Sequence, residues 1–245
     1  MTAMSVLPIH TRVFQAGEDL TRFVVDCVPP SQVAEGMILA VTSKIVSLAE
    51  NRFENAGSIS KRELVKRESD VYLGEIGYGI FLTIKHGLMI ASAGIDESNS
   101  AKGDYILYPN NPYASAELLW SQLRKAWGLR DLGILLTDSK TTPLRRGTSG
   151  VCLSYCGFEG VINMVGTPDL FGRPLKMTRM NMADGLAGAA VLLMGEGRES
   201  RPLAVIRHAG VKFCEKTDPT EILIPLEEDL YYPILRSAVE NAADD

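Results

Sequence analysis

The order of apolar runs along this 245-residue chain predicts an α+β fold, with mixed or antiparallel sheets and packed helices. Two observations carry that expectation. Strand-like runs alternate with helix-like runs, as in βα units. Beside them stands a hairpin signal, in which Lys85-His86-Gly87 separates "GIFLTI" from "LMIASA". A doubly wound parallel sheet would lack such hairpins.

Each element has its own warrant. "EDLTRFVVDCV" (18–28) spaces apolar residues for a helix behind an acidic first turn. "MILAVT" (37–42) is a buried strand, and "SKIVSLAEN" (43–51) a short helix with Ser43 as its cap. "ASAELLWSQLRKAWG" (114–128) is amphipathic and stops at Gly128. "LGILLT" (132–137) is a second buried strand, and "LKMTRMNM" (175–182) alternates like a half-exposed one. "ADGLAGAAVLLMG" (183–195) is a helix whose small residues can lie close to a sheet. "PLAVIR" (202–207) is a strand, and the chain closes in a helix that Pro233 interrupts. The expected organisation is a site-bearing unit over 1–208, single or of two intertwined subdomains, with an extension over 209–245.

Composition narrows the function. Apolar residues make up 46% of the chain, enough to bury a core. A formal net charge of -5 argues against a nucleic-acid partner held by a broad basic surface. The four cysteines form no C-x-x-C pair and the three histidines stand apart, so free thiols are expected and a zinc site is not. "GLAGAAVLLMG" is too short to span a bilayer, and the N-terminus lacks the pattern of a signal peptide. The expectation is a reduced, cytoplasmic protein without a membrane partner.

Three stretches hold the candidate chemistry. "ASAGIDESNS" and "DLGILLTDSK" place Asp96 and Asp138 at the ends of apolar runs. Carboxylates and hydroxyls so placed suit a hard cation such as Mg²⁺. Either stretch alone reads first as a plain turn, because Asp, Ser and Asn end strands by bonding nearby backbone. Next to Asp138, "KTTPLRRGTSG" offers Lys140, Arg145 and Arg146 to phosphate or carboxylate groups, or is a solvated basic loop. "MGEGRES" is a glycine-rich corner with Glu196 as a further oxygen donor, or a helix cap and a turn. No Walker loop, G-x-G-x-x-G or G-x-S-x-G elbow occurs. Together these point to a metal-assisted site for a phosphorylated ligand.

At these same residues the sequence resembles the coenzyme F420-0:L-glutamate ligases, the F420 γ-glutamyl ligases. The resemblance rests on "AGIDESN", "TDS" with "RRG", "DLFGRPLKMT", "MADGLAGAAVLLMGEG" and "PLAVIR", with "GEDL" and "VTSKIVSLAENR" before them. It runs in order from Pro8 to Arg207. It implies a homodimer that uses GTP, or ATP, with Mg²⁺ or Mn²⁺. Such an enzyme joins L-glutamate through its amine to a terminal carboxylate of a small-molecule acceptor, by way of an acyl phosphate. Asp96, Asp138, Ser139 and Glu196 would then hold metal. Ile9, His10, Thr11, Arg12, Ser43, Lys44 and Asn99 would line the nucleotide pocket, and Gly195, Glu196 and Gly197 its glycine-rich wall. Arg145, Arg146 and Lys140 would face phosphate or the acceptor carboxylate. Two departures stand out. Leu48 occupies the place of a family lysine, and Ser139-Lys140-Thr141-Thr142-Pro143 replaces a Thr-x-Gly-Arg-Pro loop. A folate-type polyglutamate ligase and a non-catalytic nucleotide- or metabolite-binding paralogue are the competing expectations.

Overall fold

The computed structural model describes residues 3–98 and 103–242. In chain order its first elements are β1 (Ser5–Ile9), α1 (Leu20–Cys27), β2 (Met37–Thr42), α2 (Ser43–Ala49), β3 (Phe53–Glu54), α3 (Lys61–Glu68), β4 (Val71–Gly77), β5 (Ile80–Lys85) and β6 (Leu88–Ala91). There follow β7 (Tyr105–Ile106), α4 (Pro112–Trp127), β8 (Leu132–Thr141), β9 (Thr148–Cys156), β10 (Val161–Asn163), β11 (Arg179–Asn181), α5 (Met182–Met194), β12 (Leu203–Arg207) and α6 (Tyr232–Ala242).

The centre is a five-stranded sheet in the order β1-β12-β2-β8-β9. The β2–β8 pair is parallel, and the other neighbours in this sheet run antiparallel. A parallel pair needs a long crossover. Here the crossover carries α2, α3, α4 and the three-stranded sheet β4-β5-β6. The fold is therefore α+β with a mixed sheet, as the hairpins beside βα units foretell.

The pleat sorts the core into two layers. Met37, Leu39 and Val41 face α1 and α4 together with Ile134, Leu136 and Val205. Ile38, Ala40, Leu135, Ala204 and Ile206 face α5. Strands covered on both faces read as unbroken apolar runs, which is why "MILAVT" and "LGILLT" stand out in the sequence. The small residues of α5 allow a close approach to β9. A Cβ on Gly150 would fall 2.4 Å from the Ala187 carbonyl oxygen.

Several local expectations need correction. Ser43 is the first helical residue of α2 rather than its cap. Thr42 holds the cap position without a side-chain bond, and Ser43's carbonyl instead accepts the Ser47 hydroxyl at 2.9 Å. Within 175–182 only Arg179–Asn181 is a strand. Pro233 opens α6, where a missing N–H costs nothing, instead of interrupting it. Asp138 does not end its strand, because β9 goes on pairing with β8 as far as Thr141. Asp96 lies beyond the end of β6, past a tight turn.

The segment after Arg207 is fastened to the main body. Phe213 bridges Phe158, and the Gly157 N–H reaches the Thr217 hydroxyl at 2.9 Å. The Glu221 carboxylate accepts both the Tyr155 hydroxyl and the Gly160 N–H at 2.7 Å. The four cysteines are free thiols. No helix among the described residues is long and apolar enough to cross a membrane.

Candidate active site

Parallel pairing brings two chain turns to one place. Thr42 and Thr137 lie opposite each other at the ends of the paired segment. From there one strand becomes α2, starting at Ser43 and Lys44, and the other continues to Asp138. A cleft of about 560 Å³ opens at this point. Its floor and sides come from Thr11 and Arg12, Lys44, Asp96, Asp138 with Ser139, and the 194–202 corner.

Asp96 reaches the cleft through a strained turn. Ser92, Ala93 and Gly94 all have positive φ, at 51°, 56° and 72°. Serine and alanine rarely adopt this conformation, so the turn is held by its surroundings. Thr83 Oγ1 accepts the Ala93 N–H at 2.9 Å, and the Asp96 backbone then pairs with Ile106. The Lys44 ammonium meets the Asp96 carboxylate at 2.5 Å and lies 3.3 Å from the Ser98 hydroxyl. The Ser98 N–H also donates to Asp96, at 2.6 Å. Burial works to raise the Asp96 pKa, but the Lys44 and Ser98 contacts outweigh it and hold the group below its ordinary value.

Asp138 is held differently. The buried Tyr108 hydroxyl donates to its Oδ2. Burial is the dominant influence and pushes the Asp138 pKa up to about 6, against the Tyr108 and Ser139 hydrogen bonds. Asp96, Asp138 and Lys44 form the partition between the main cleft and a small cavity of about 20 Å³, whose far side is Ser43, Ser47 and Tyr108. That is room for one water or one ion.

The third component is the corner after α5. Gly195 caps the helix with φ 86°, and a Cβ there would meet the Glu199 side chain at 2.6 Å. The Gly197 N–H donates to the Glu199 carboxylate at 2.8 Å. A carboxylate thus rests on a backbone amide that could equally hold a phosphate oxygen. The Ser139 hydroxyl donates to Glu196 at 3.2 Å, tying the corner to β8.

The structure brings most of the expected site residues together. Thr11, Arg12, Lys44, Asp96, Asp138, Ser139, Gly195, Glu196 and Gly197 line the cleft, and Ser43 lines the small cavity. Ile9 turns into the core and His10 is exposed; neither lines the cleft. Lys140, Arg145 and Arg146 lie on the β8–β9 hairpin, outside the cleft lining, with both arginines exposed. Asn99 lies outside the described residues. Arg198 and Arg201 line the cleft and were missed by the sequence reading, as was Tyr108. The two arginines follow the glycine corner directly, and that adjacency was a usable signal. Nothing in "YILYPN" marks Tyr108.

Oxygen donors from Asp96, Asp138, Ser139 and Glu196 suit a hard cation that brings phosphate oxygens with it. Among the described residues no three His, Cys, Asp or Glu form a ready-made cage.

A cleft at the end of the β2–β8 pairing that gathers carboxylates, cationic side chains and a glycine-rich corner is that of an enzyme. The chain matches the F420-0:Gamma-glutamyl ligase family over residues 8–208, and it belongs to that family of ligases. It is 31% identical over 245 residues to the coenzyme F420:L-glutamate ligase of Methanocaldococcus jannaschii, covering 93% of this chain and 96% of that one. It is 32% identical to the Methanococcus maripaludis strain S2 enzyme of the same name, over 93% of this chain and 97% of the other. The Archaeoglobus fulgidus enzyme of that name is 31% identical over 93% and 96%.

Proposed function

We propose that the protein adds L-glutamate to coenzyme F420-0 or a closely related carboxylate acceptor, in the cytoplasm, at the expense of GTP or ATP. The observation that carries this reading is the meeting of Asp96, Asp138, Lys44 and the Gly195–Gly197 corner, from distant parts of the chain, in one cleft. Its relatives' shared name supports the acceptor.

In this reading the acceptor carboxylate attacks the terminal phosphorus, releasing nucleoside diphosphate and giving an acyl phosphate. The glutamate amine then attacks the acyl carbon, phosphate leaves, and the amine proton is lost. Mg²⁺ or Mn²⁺, held by Asp96, Asp138, Ser139 and Glu196, would neutralise phosphoryl charge. Lys44, Arg12, Arg198 and Arg201 line the cleft and would orient phosphate oxygens, Lys44 and Arg12 by exchanging their ion pairs with Asp96 and Glu18, and catalysis would then rest largely on positioning. Phosphate arriving at the Gly197 amide displaces the Glu199 carboxylate. Arg145 and Arg146, on their exposed hairpin, are assigned to the acceptor carboxylate or to a second copy of the chain in a homodimer. Exposed Leu170, Phe171 and Met177 supply apolar surface for such a dimer.

The test is an acceptor screen by mass spectrometry. The protein is incubated with glutamate, GTP or ATP, Mg²⁺ or Mn²⁺, and acceptors including the deazaflavin precursor and mono-glutamyl folates. The expected signal is one added glutamate on the deazaflavin. It should vanish in Asp96→Asn and Asp138→Asn, which should also lose metal-dependent nucleotide binding while staying folded. Retained binding in both variants would refute the site. Leu48, in place of the family lysine, favours a second reading as a nucleotide-binding paralogue. That reading predicts binding without any product.

A further inference from the structure

We propose that Tyr108 is a positioning residue for this ligase. Through its hydroxyl it fixes the Asp138 carboxylate, and through its ring it couples Asp138 to Asp96. The inference rests on the reading of the cleft given above, in which both carboxylates serve a cation and its nucleotide.

Tyr108 is 4% exposed, and its hydroxyl donates to Asp138 Oδ2. A donor fixed on one carboxylate oxygen selects the rotamer and leaves lone pairs on the group free for a cation. The ring itself is clamped. On one side lies Gly94, with φ 72°, where an added Cβ would come 2.1 Å from the ring carbon bearing the hydroxyl. The His86 ring stacks at 6.2 Å between centroids, 29° from parallel. Only glycine meets both requirements at position 94, since the backbone is left-handed and the ring occupies the space of any side chain.

Gly94 stands two residues before Asp96, in the turn that delivers that carboxylate. Ile106 stands two residues before Tyr108 and pairs with the Asp96 backbone. The same short pairing therefore sets Asp96 and the ring that sets Asp138. Lys44 makes its ion pair with Asp96. The two carboxylates are held by separate partners, yet on one rigid frame, and both line the small cavity.

The test uses the full chain with Tyr108→Phe, which keeps the ring in its clamp and deletes the donor. Mn²⁺ binding is measured by electron paramagnetic resonance, with and without GTP, for parent, Tyr108→Phe and Asp138→Asn. Loss of such an outer partner weakens metal affinity by about 10- to 100-fold. The expected result is a Mn²⁺ Kd raised by that factor in Tyr108→Phe, with circular dichroism unchanged. Turnover should fall at low Mn²⁺ and recover at high Mn²⁺, with KM for glutamate unmoved. A merely structural tyrosine would lower the melting temperature and leave the Mn²⁺ dependence alone. Parent-like Mn²⁺ binding in Tyr108→Phe, with binding lost in Asp138→Asn, would overturn this proposal and leave the cleft reading standing. Parent-like binding in both variants would overturn the cleft reading and this proposal with it.

Discussion

Leu48 meets two demands at once, since it lines the cleft and also packs against the layer under α1 and α4. A lysine there can lay its stem on that apolar layer and send its ammonium into the cleft. Leu48→Lys should therefore cost only about 1 kcal/mol of burial. A scan should show the melting temperature falling by about 2–4 °C. Nucleotide should bind about tenfold tighter by calorimetry, for roughly 1.4 kcal/mol of new charge contact. A much larger fall would place Leu48 in the core proper. His86 allows a prediction against pH. Burial, and then the Lys85 charge, hold its pKa below the ordinary 6.5 against the pull of Asp70. As pH falls below 6.5 the unfolded chain takes the proton first. The stability that neutral His86 contributes is thus full above 6.5 and lost as pH drops through the folded value. Asn tolerates the positive φ of 51° at this position. His86→Asn should flatten the decline in melting temperature between about pH 7 and pH 5. Asp96 and Asp138 were legible as isolated carboxylates after apolar runs. Tyr108 was not, because its role depends on what lies across the fold.

Among the elements, legibility followed burial. β2 and β8 are covered on both faces and read plainly. α3 did not, since Lys61-Arg62-Glu63 and Lys66-Arg67-Glu68 leave only Leu64 and Val65 to form an apolar face. Its one local signal was the Ser60–Glu63 capping box, which the structure contains in full. Ser60→Ala should lower stability by about 1 kcal/mol in chemical denaturation. β9 was hidden behind the basic loop, whose glycines and hydroxyls resemble a turn. The contact between α5 and β9 supplies a sharper test. At Gly150 an added methyl would collide with helix backbone, which cannot rotate away. Gly150→Ala should cost about 1–3 kcal/mol through overpacking, visible by calorimetry as a lower melting temperature. An unchanged melting temperature would mean that α5 slides freely on the sheet.

At the scale of the whole molecule, alternation of runs was enough to foretell α+β, but strand order was not, because neighbours in the sheet are far apart in sequence. Nor was the role of the last forty or so residues legible, since their anchors are single contacts such as Phe213 on Phe158 and Glu221 on Tyr155. A chain ended after His208 would bare the apolar layer on which Ala209, Val211, Phe213 and Ile222 pack, and should show no cooperative melting by calorimetry. A melt like that of the full chain would make 1–208 self-sufficient. The sheet order has one more consequence, for how the protein is made. β12 inserts between β1 and β2, so the first strand finds its partner only after every element from β2 to α5 has been made. Thr11 and Thr42 likewise receive their backbone partners from Ser200 and Pro202. On the ribosome β1 therefore waits, unpaired, until β12 is translated, although β2 can pair earlier with β8, and the cleft closes only after that step. Such non-local pairing makes for slow folding and a long exposure of strand edges. Chaperones would meet this chain with its edges still open and its active site not yet assembled.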